Sequence, residues 1–180
     1  MAGKTGLKVV SGGYSQRALV EVMQAVAGDP RWVHLDVIAA NMLGTSRYGL
    51  LIRELGYSFT SAVIDAEAES FSACVATENL DDDVGPFSLR DGRVVDLCYV
   101  CNAFFETAVG AAVIKYPIIH TFTHRLGEGI LVPADRVWVG VDTVGIGSVI
   151  TAYVSIVYDV IEMGAEDYLD LLQSRQILVG

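Results

Sequence analysis

Residues 150–160 read Ile150-Thr151-Ala152-Tyr153-Val154-Ser155-Ile156-Val157-Tyr158-Asp159-Val160. Ile150, Ala152, Val154, Ile156, Tyr158 and Val160 fall on one side of an extended chain, and Thr151, Tyr153, Ser155, Val157 and Asp159 fall on the other. Side chains alternate across a strand, so eleven residues without a break in period two specify a β-strand with one face committed to a core. Upstream, Val137, Val139 and Val141 alternate with Arg136, Trp138 and Gly140, and Asp142–Gly147 supplies a turn. The two strands are expected to pair as a hairpin.

The same period recurs through the chain. Val95, Leu97, Tyr99, Cys101 and Ala103 oppose Asp96, Cys98 and Asn102, which predicts a half-buried strand. Trp32–Met42 and Tyr48–Phe59 read as strands bounded by Gly28-Asp29-Pro30 and Gly44-Thr45-Ser46. In Ser61–Thr77, small residues (Ala66, Ala68, Ser70, Ser72, Cys74, Ala76) line one face, and acids begin the other. Ala112–Arg125 reads as a strand in which Pro117 marks an edge or bulge, because proline cannot donate to a ladder. Ile130–Val132 with Pro133 reads as a short bend.

Two segments have helical spacing. Leu19, Val22, Met23 and Val26 follow i, i+3, i+4, i+7 after Ser15 and before Gly28, while Ala18, Val20 and Val22 keep the period of a strand. At the C-terminus, Glu166 and Asp167 suit the positive end of a helix, Tyr168, Leu169, Leu171 and Leu172 form a stripe, and Arg175 suits the negative end. Seven or eight regularly spaced strands with few helices point to an all-β protein, a single jelly-roll β-sandwich with a short C-terminal helix and an alternative N-terminal one. No linker, repeat or low-complexity tract divides the 180 residues. One domain over 1–180 is expected, with an N-terminal arm at 1–17 and a helical appendage at 164–180.

Apolar residues make up 52 % of the chain and charged residues 19 %, below the roughly 25 % usual for soluble domains. No apolar run approaches the ~20 residues that cross a bilayer, and Ala103–Ile119 is broken by Glu106, Lys115 and Pro117. Nor does Met1–Val10 hold the sustained apolar core of a signal peptide. An apolar surplus of this kind marks a partner surface, so self-association is expected. The net charge of −10 argues against electrostatic binding of nucleic acid, with Lys4, Lys8 and Arg17 as the only clustered cations. Ten of the 22 acids lie in Asp65–Glu106.

The candidate chemistry mostly dissolves on inspection. Gly3-Lys4-Thr5 ends like a phosphate loop, but that loop needs an earlier glycine and a preceding strand. Gly140, Gly145 and Gly147 precede a strand where a dinucleotide fold requires a helix. Cys98 and Cys101 are spaced C-x-x-C, yet three residues along a strand place them on opposite faces; with Cys74 they read as small apolar thiols. His120 and His124 would share a zinc on a helix, but on a strand they stand about 13 Å apart, and Glu128 follows in a turn. His34 has no Ser or Asp partner by spacing, and Glu67 with Glu69 reads as a solvated strand face. No catalytic, cofactor-binding or metal-binding residue is therefore assigned, and no enzyme activity is expected.

The order of segments carries a resemblance. Gly49-Leu50-Leu51-Ile52-Arg53-Glu54-Leu55-Gly56-Tyr57-Ser58-Phe59, a small-residue strand, an acidic loop, Gly129–Asp142, the long strand Ser148–Glu162 and Tyr168–Gln176 together resemble the small jelly-roll capsid proteins of icosahedral viruses of environmental and prokaryotic type. The pattern spans roughly Leu50–Gln176. It implies a structural subunit without an active site, made in the host cytoplasm and residing in the virion, that assembles through sheet edges, loops and terminal segments. A second coat protein could share the lattice. The missing Arg-rich arm departs from many such subunits and speaks against direct genome packaging. Two alternatives carry other expectations: a cellular oligomeric β-sandwich that binds glycans or receptors, and a cupin-like metalloenzyme using His120, His124 and Glu128. Second-face residues Tyr153, Val157 and Trp138, with Ile177-Leu178-Val179, are the expected subunit contacts.

Overall fold

A computed structural model describes residues 8–9, 15–36, 47–60, 69–80, 87–101, 117–124, 127–134 and 136–164, together with 166, 169, 170 and 173. Two antiparallel sheets face one another. The first is centred on β12 (Thr151–Met163), which pairs along its whole length with β4 (Arg47–Thr60). On the other side of β12 lie β1 (Lys8–Val9) and β2 (Gln16–Met23). Beyond β4 lie β7 (Ile118–Thr121) and β10 (Ile130–Val132). The second sheet runs β3 (Arg31–Asp36), β11 (Arg136–Val144), β5 (Ser70–Ala76), β6 (Val94–Cys101). A small ribbon pairs β8 (Thr123–His124) with β9 (Gly127–Glu128). In both sheets, strands distant in sequence lie side by side, the interleaving that defines a jelly roll.

The core fills as the alternation predicts. Ile150, Ala152, Val154, Ile156, Tyr158 and Val160 all point inward, and so do Leu50, Ile52, Leu55 and Tyr57 from β4. Across the gap they meet Phe71, Ala73 and Val75 of β5 and Val137, Val139 and Val141 of β11. Each fully buried side chain of this size contributes about 1.5–3 kcal/mol relative to exposure. Phe59 and Phe71 join the sheets edge-to-face at 4.6 Å.

Several expectations need correction. Leu19–Val26 is not a helix: β2 takes the period-two alternative, with Val20 and Val22 inward and Leu19 and Met23 outward. The arm expected at 1–17 contributes to the sandwich, since Lys8–Val9 pairs with β12 and Gln16–Arg17 opens β2. β11 and β12 do not form a hairpin. Each joins a different sheet: Asp142–Val144 stay in β11, paired with β5, and Gly145–Ile150 turn the corner to β12, with Gly145 at φ 76°. Buried Gln24 ties this corner down: its amide donates to Thr143 Oγ1 at 3.1 Å and accepts from the Ile150 N–H at 3.3 Å. Ile130–Val132 is a strand on the edge of β4 rather than a bend.

Of the expected Trp32–Met42 strand, β3 occupies Arg31–Asp36, and the rest lies outside the described residues, as do 61–68 and 102–116. At the C-terminus, Glu166, Leu169, Asp170 and Gln173 have helical backbone and are exposed. Tyr168, Leu171, Leu172 and Ile177–Val179 lie outside the described residues.

Candidate functional site

Two places in the sandwich gather polar or apolar groups beyond what packing alone requires. The first lies between the sheets. On β6, Asp96 faces Val75 on the inward side, in phase with Cys98 and Val100, and a bulge at Val95 just beyond it sets Val94 against Ala76 on the outer side. Its Oδ2 accepts from Tyr57 Oη at 2.8 Å and lies 2.7 Å from His120 Nδ1. Tyr57 comes from β4 and His120 from β7, so one carboxylate links the two sheets. The His120 ring also stands edge-on to Tyr57 at 5.5 Å. Burial, then the Asp96 charge, pushes the Tyr57 hydroxyl well above its ordinary range and keeps it a donor.

The second lies on the outer face of the six-stranded sheet. A shallow trough of about 150 Å³ is lined by Arg17 and Leu19 of β2, Tyr153 and Ser155 of β12, Glu54 and Gly56 of β4, and Ile119 of β7. Its walls are exposed apolar side chains, Leu19 at 68 % and Ile119 at 56 %, and its floor is Ser155 and Gly56. Arg17 Nη2 reaches Ser155 Oγ at 3.4 Å, and Tyr153 Oη donates to Glu21 Oε1 at 3.3 Å. The expected contact residues Tyr153 and Val157 are half-buried on this face. Trp138 lies on the other sheet, where it packs on His34 at 5.0 Å between ring centres.

The remaining candidates separate. His120 is held by Asp96. His124 pairs through its backbone with Gly127 in the β8–β9 ribbon, and the side chains of His124 and Glu128 lie outside the described residues. Among the described residues no group of three or more His, Cys, Asp or Glu is placed to hold a metal ion. Cys98 points into the core, Cys101 is half-buried on the opposite face, and Cys74 is buried. Burial pushes the Cys98 thiol up to about 12 and that of Cys74 further, so both stay protonated and unreactive at neutral pH. Gly140 lies within β11 under Trp32, where a Cβ would come 2.8 Å from the indole ring. Close approach therefore explains this glycine. His34 sits beside Trp138 and 3.9 Å from Asp36. Glu69 is half-buried; Glu67, Gly3, Lys4 and Thr5 lie outside the described residues.

Sequence reasoning missed the Asp96 link and the Arg53–Asp159 ion pair. Arg53 Nε and Nη2 both lie 2.7 Å from Asp159 Oδ2, on a carboxylate only 4 % exposed. The available signal was an acid placed inside an otherwise apolar strand, at 96 and again at 159.

No family model matches the chain, and no curated protein matches it. Solved structures do. VP1 of Merkel cell polyomavirus, in complex with 3'-sialyllactosamine, is similar at 6 % identity and TM-score 0.50, over 89 % of this chain and 100 % of that one. VP1 of trichodysplasia spinulosa-associated polyomavirus, in complex with GM1 oligosaccharide, is similar at 10 % identity and TM-score 0.50, over 89 % and 99 %. The chain has the jelly-roll fold of these viral capsid proteins.

Proposed function

We propose that the chain is a structural virion protein, a capsid subunit that self-assembles into an icosahedral shell through its sandwich surfaces and terminal segments. The observation that carries this reading is the interleaved strand order of both sheets, shared as a fold with polyomavirus VP1 over nearly the whole chain. The bare apolar trough, in a chain with only 19 % charged residues, supports association. The chain acts as one domain, performs no catalysis and resides in the virion after synthesis in the host cytoplasm. Its net charge of −10 supports a shell that does not itself grip the genome, alone or beside a second coat protein. The narrower kinship, with coat proteins of environmental and prokaryotic viruses, rests on the sequence pattern over Leu50–Gln176; the two similar structures described above are of polyomaviruses.

Electron microscopy of the purified full chain tests the reading. Closed particles of uniform diameter are the expected result, and a monodisperse monomer overturns it. A second reading, an oligomeric glycan-binding module, draws support from the sialylated or ganglioside oligosaccharides bound by the two similar structures. Saturable glycan binding by a small closed oligomer that forms no particles would favour it.

A further inference from the structure

The outer face of the six-stranded sheet is ordered in rows by the pairing register. One row runs Arg17, Val157, Glu54, Thr121 across β2, β12, β4 and β7. The next runs Leu19, Ser155, Gly56, Ile119, and a third runs Glu21, Tyr153, Ser58. Neighbouring strands stand about 4.8 Å apart, so Arg17 and Glu54 are separated by roughly 10 Å with β12 between them. They do not pair within the chain. Arg17 contacts Ser155, and Glu54 has no ion-pair partner among the described residues. Leu19 stands the same two strands from Gly56, which brings no side chain of its own to the floor of the trough, where a Cβ would lie 3.0 Å from Ser155 Oγ.

We propose that this face is a two-fold interface between two copies of the chain, with the axis lying in the face along β12. That operation carries β2 of one copy over β4 of the other and keeps the rows in register. Leu19 of each copy then enters the trough over Gly56 of the other, and Arg17 of each meets Glu54 of the other. Tyr153, Ser155 and Val157 lie on the axis and meet their own counterparts, as an isologous contact requires. The register excludes the neighbouring choices. An axis along β4 sets Glu54 against Glu54, and one along β2 sets Arg17 against Arg17. An axis midway between β12 and β4 stacks Leu19 on Ile119 and leaves Arg17 opposite Thr121. Only the axis along β12 joins both the opposite charges and the knob with the hole.

The inference goes beyond the shell reading and does not rest on it, since a two-fold dimer can stand alone or serve as a unit of a shell. Sedimentation of the full chain, with R17E, E54R and the double exchange R17E/E54R, tests it. The expected result for the wild type is a species of twice 19.3 kDa, as the free dimer or as the product when larger particles are dissociated in salt. Each single reversal sets like charges together and weakens that species by about tenfold or more, and the double exchange restores it. L19D, at an exposed position, abolishes the dimer while the far-ultraviolet β signature is kept; should L19D not fold, the charge exchange alone decides. Unchanged single variants, or a double variant as weak as the singles, overturn the proposal. Particles insensitive to all four variants leave the shell reading standing without this interface. A charge-rescued dimer that forms no particles does the reverse.

Discussion

The outer faces of the two sheets start from the same kind of sequence and end differently. On the four-stranded sheet, β5 is buried over all seven residues, because its outer side chains, Ser70, Ser72, Cys74 and Ala76, are small enough to lie beneath a cover. Trp32 lies over Gly140, meets Phe87 edge-on at 5.0 Å and forms a second apolar cluster with Cys74, Ala76, Leu80 and Val94. On the six-stranded sheet, β2 alternates between buried and exposed residues, and Leu19, Met23 and Ile119 stand bare. Among the described residues, the chain therefore covers one outer face with its own side chains and leaves apolar side chains of the other exposed. The apolar surplus of the composition is not one quantity: part is buried within the fold and part stands exposed on this face.

Trp32→Ala breaks the covered face and carries the largest expected effect. It removes the ring that seals the second cluster and lowers unfolding free energy by about 3–5 kcal/mol, to be read from urea denaturation. Asp96→Ala comes next, at about 1–3 kcal/mol, because the buried Tyr57 hydroxyl loses its acceptor. Tyr57→Phe added to that background costs little more, and a double-mutant cycle measures the coupling.

The third test concerns Asp142, a carboxylate 6 % exposed on the covered face. Burial raises its pKa above the ordinary 3.8. A carboxyl raised in the folded state adds stability below its unfolded pKa and loses that contribution as pH rises through the folded value. At neutral pH the buried charge is then a cost. Asp142→Asn keeps an oxygen to accept the Thr143 N–H and is expected to stabilise the protein at pH 7, by less than the losses above. The difference narrows as pH falls toward and below 3.8. Thermal unfolding of both proteins across pH measures it. The smallest effect belongs to the bare face: Leu19→Ala changes folding stability by no more than about 0.5 kcal/mol in the same urea assay.

Much of the fold was legible because alternation reports burial directly. β12 and β4 appear in the sequence almost as they stand in the structure. Alternation does not report which strand is the neighbour, so β11 and β12 look like a hairpin although the turn between them changes sheets. In β2 two periods coexist, and the strand prevails because β12 offers eight pairing residues to this edge. β6 is the instructive failure. Leu97, Tyr99 and Cys101 look like its core side, yet Cys98 and Val100 point inward together with Asp96. An inward carboxylate is tolerable only with partners, and these come from Tyr57 and His120, 39 and 24 residues away. The trough was legible only as a list of apolar second-face residues. Its floor depends on Gly56 and Ser155 sharing a row, which is a matter of register.

The irregularity in β4 governs how this sheet can grow. Val157 faces Glu54 and Tyr158 faces Ile52, so Arg53 is an extra residue. Its side chain turns to Asp159, and its carbonyl accepts the Phe122 N–H at 2.9 Å. The far edge of β4 is thereby divided, four residues taken by β7 on one side of the bulge and three by β10 on the other. What would have been a 14-residue rail of hydrogen-bonding groups is capped by two short strands out of line with each other. A straight edge invites open-ended addition of strands, as in a fibre. Breaking the rail withholds that route from a chain in which apolar residues make up 52 % of the sequence.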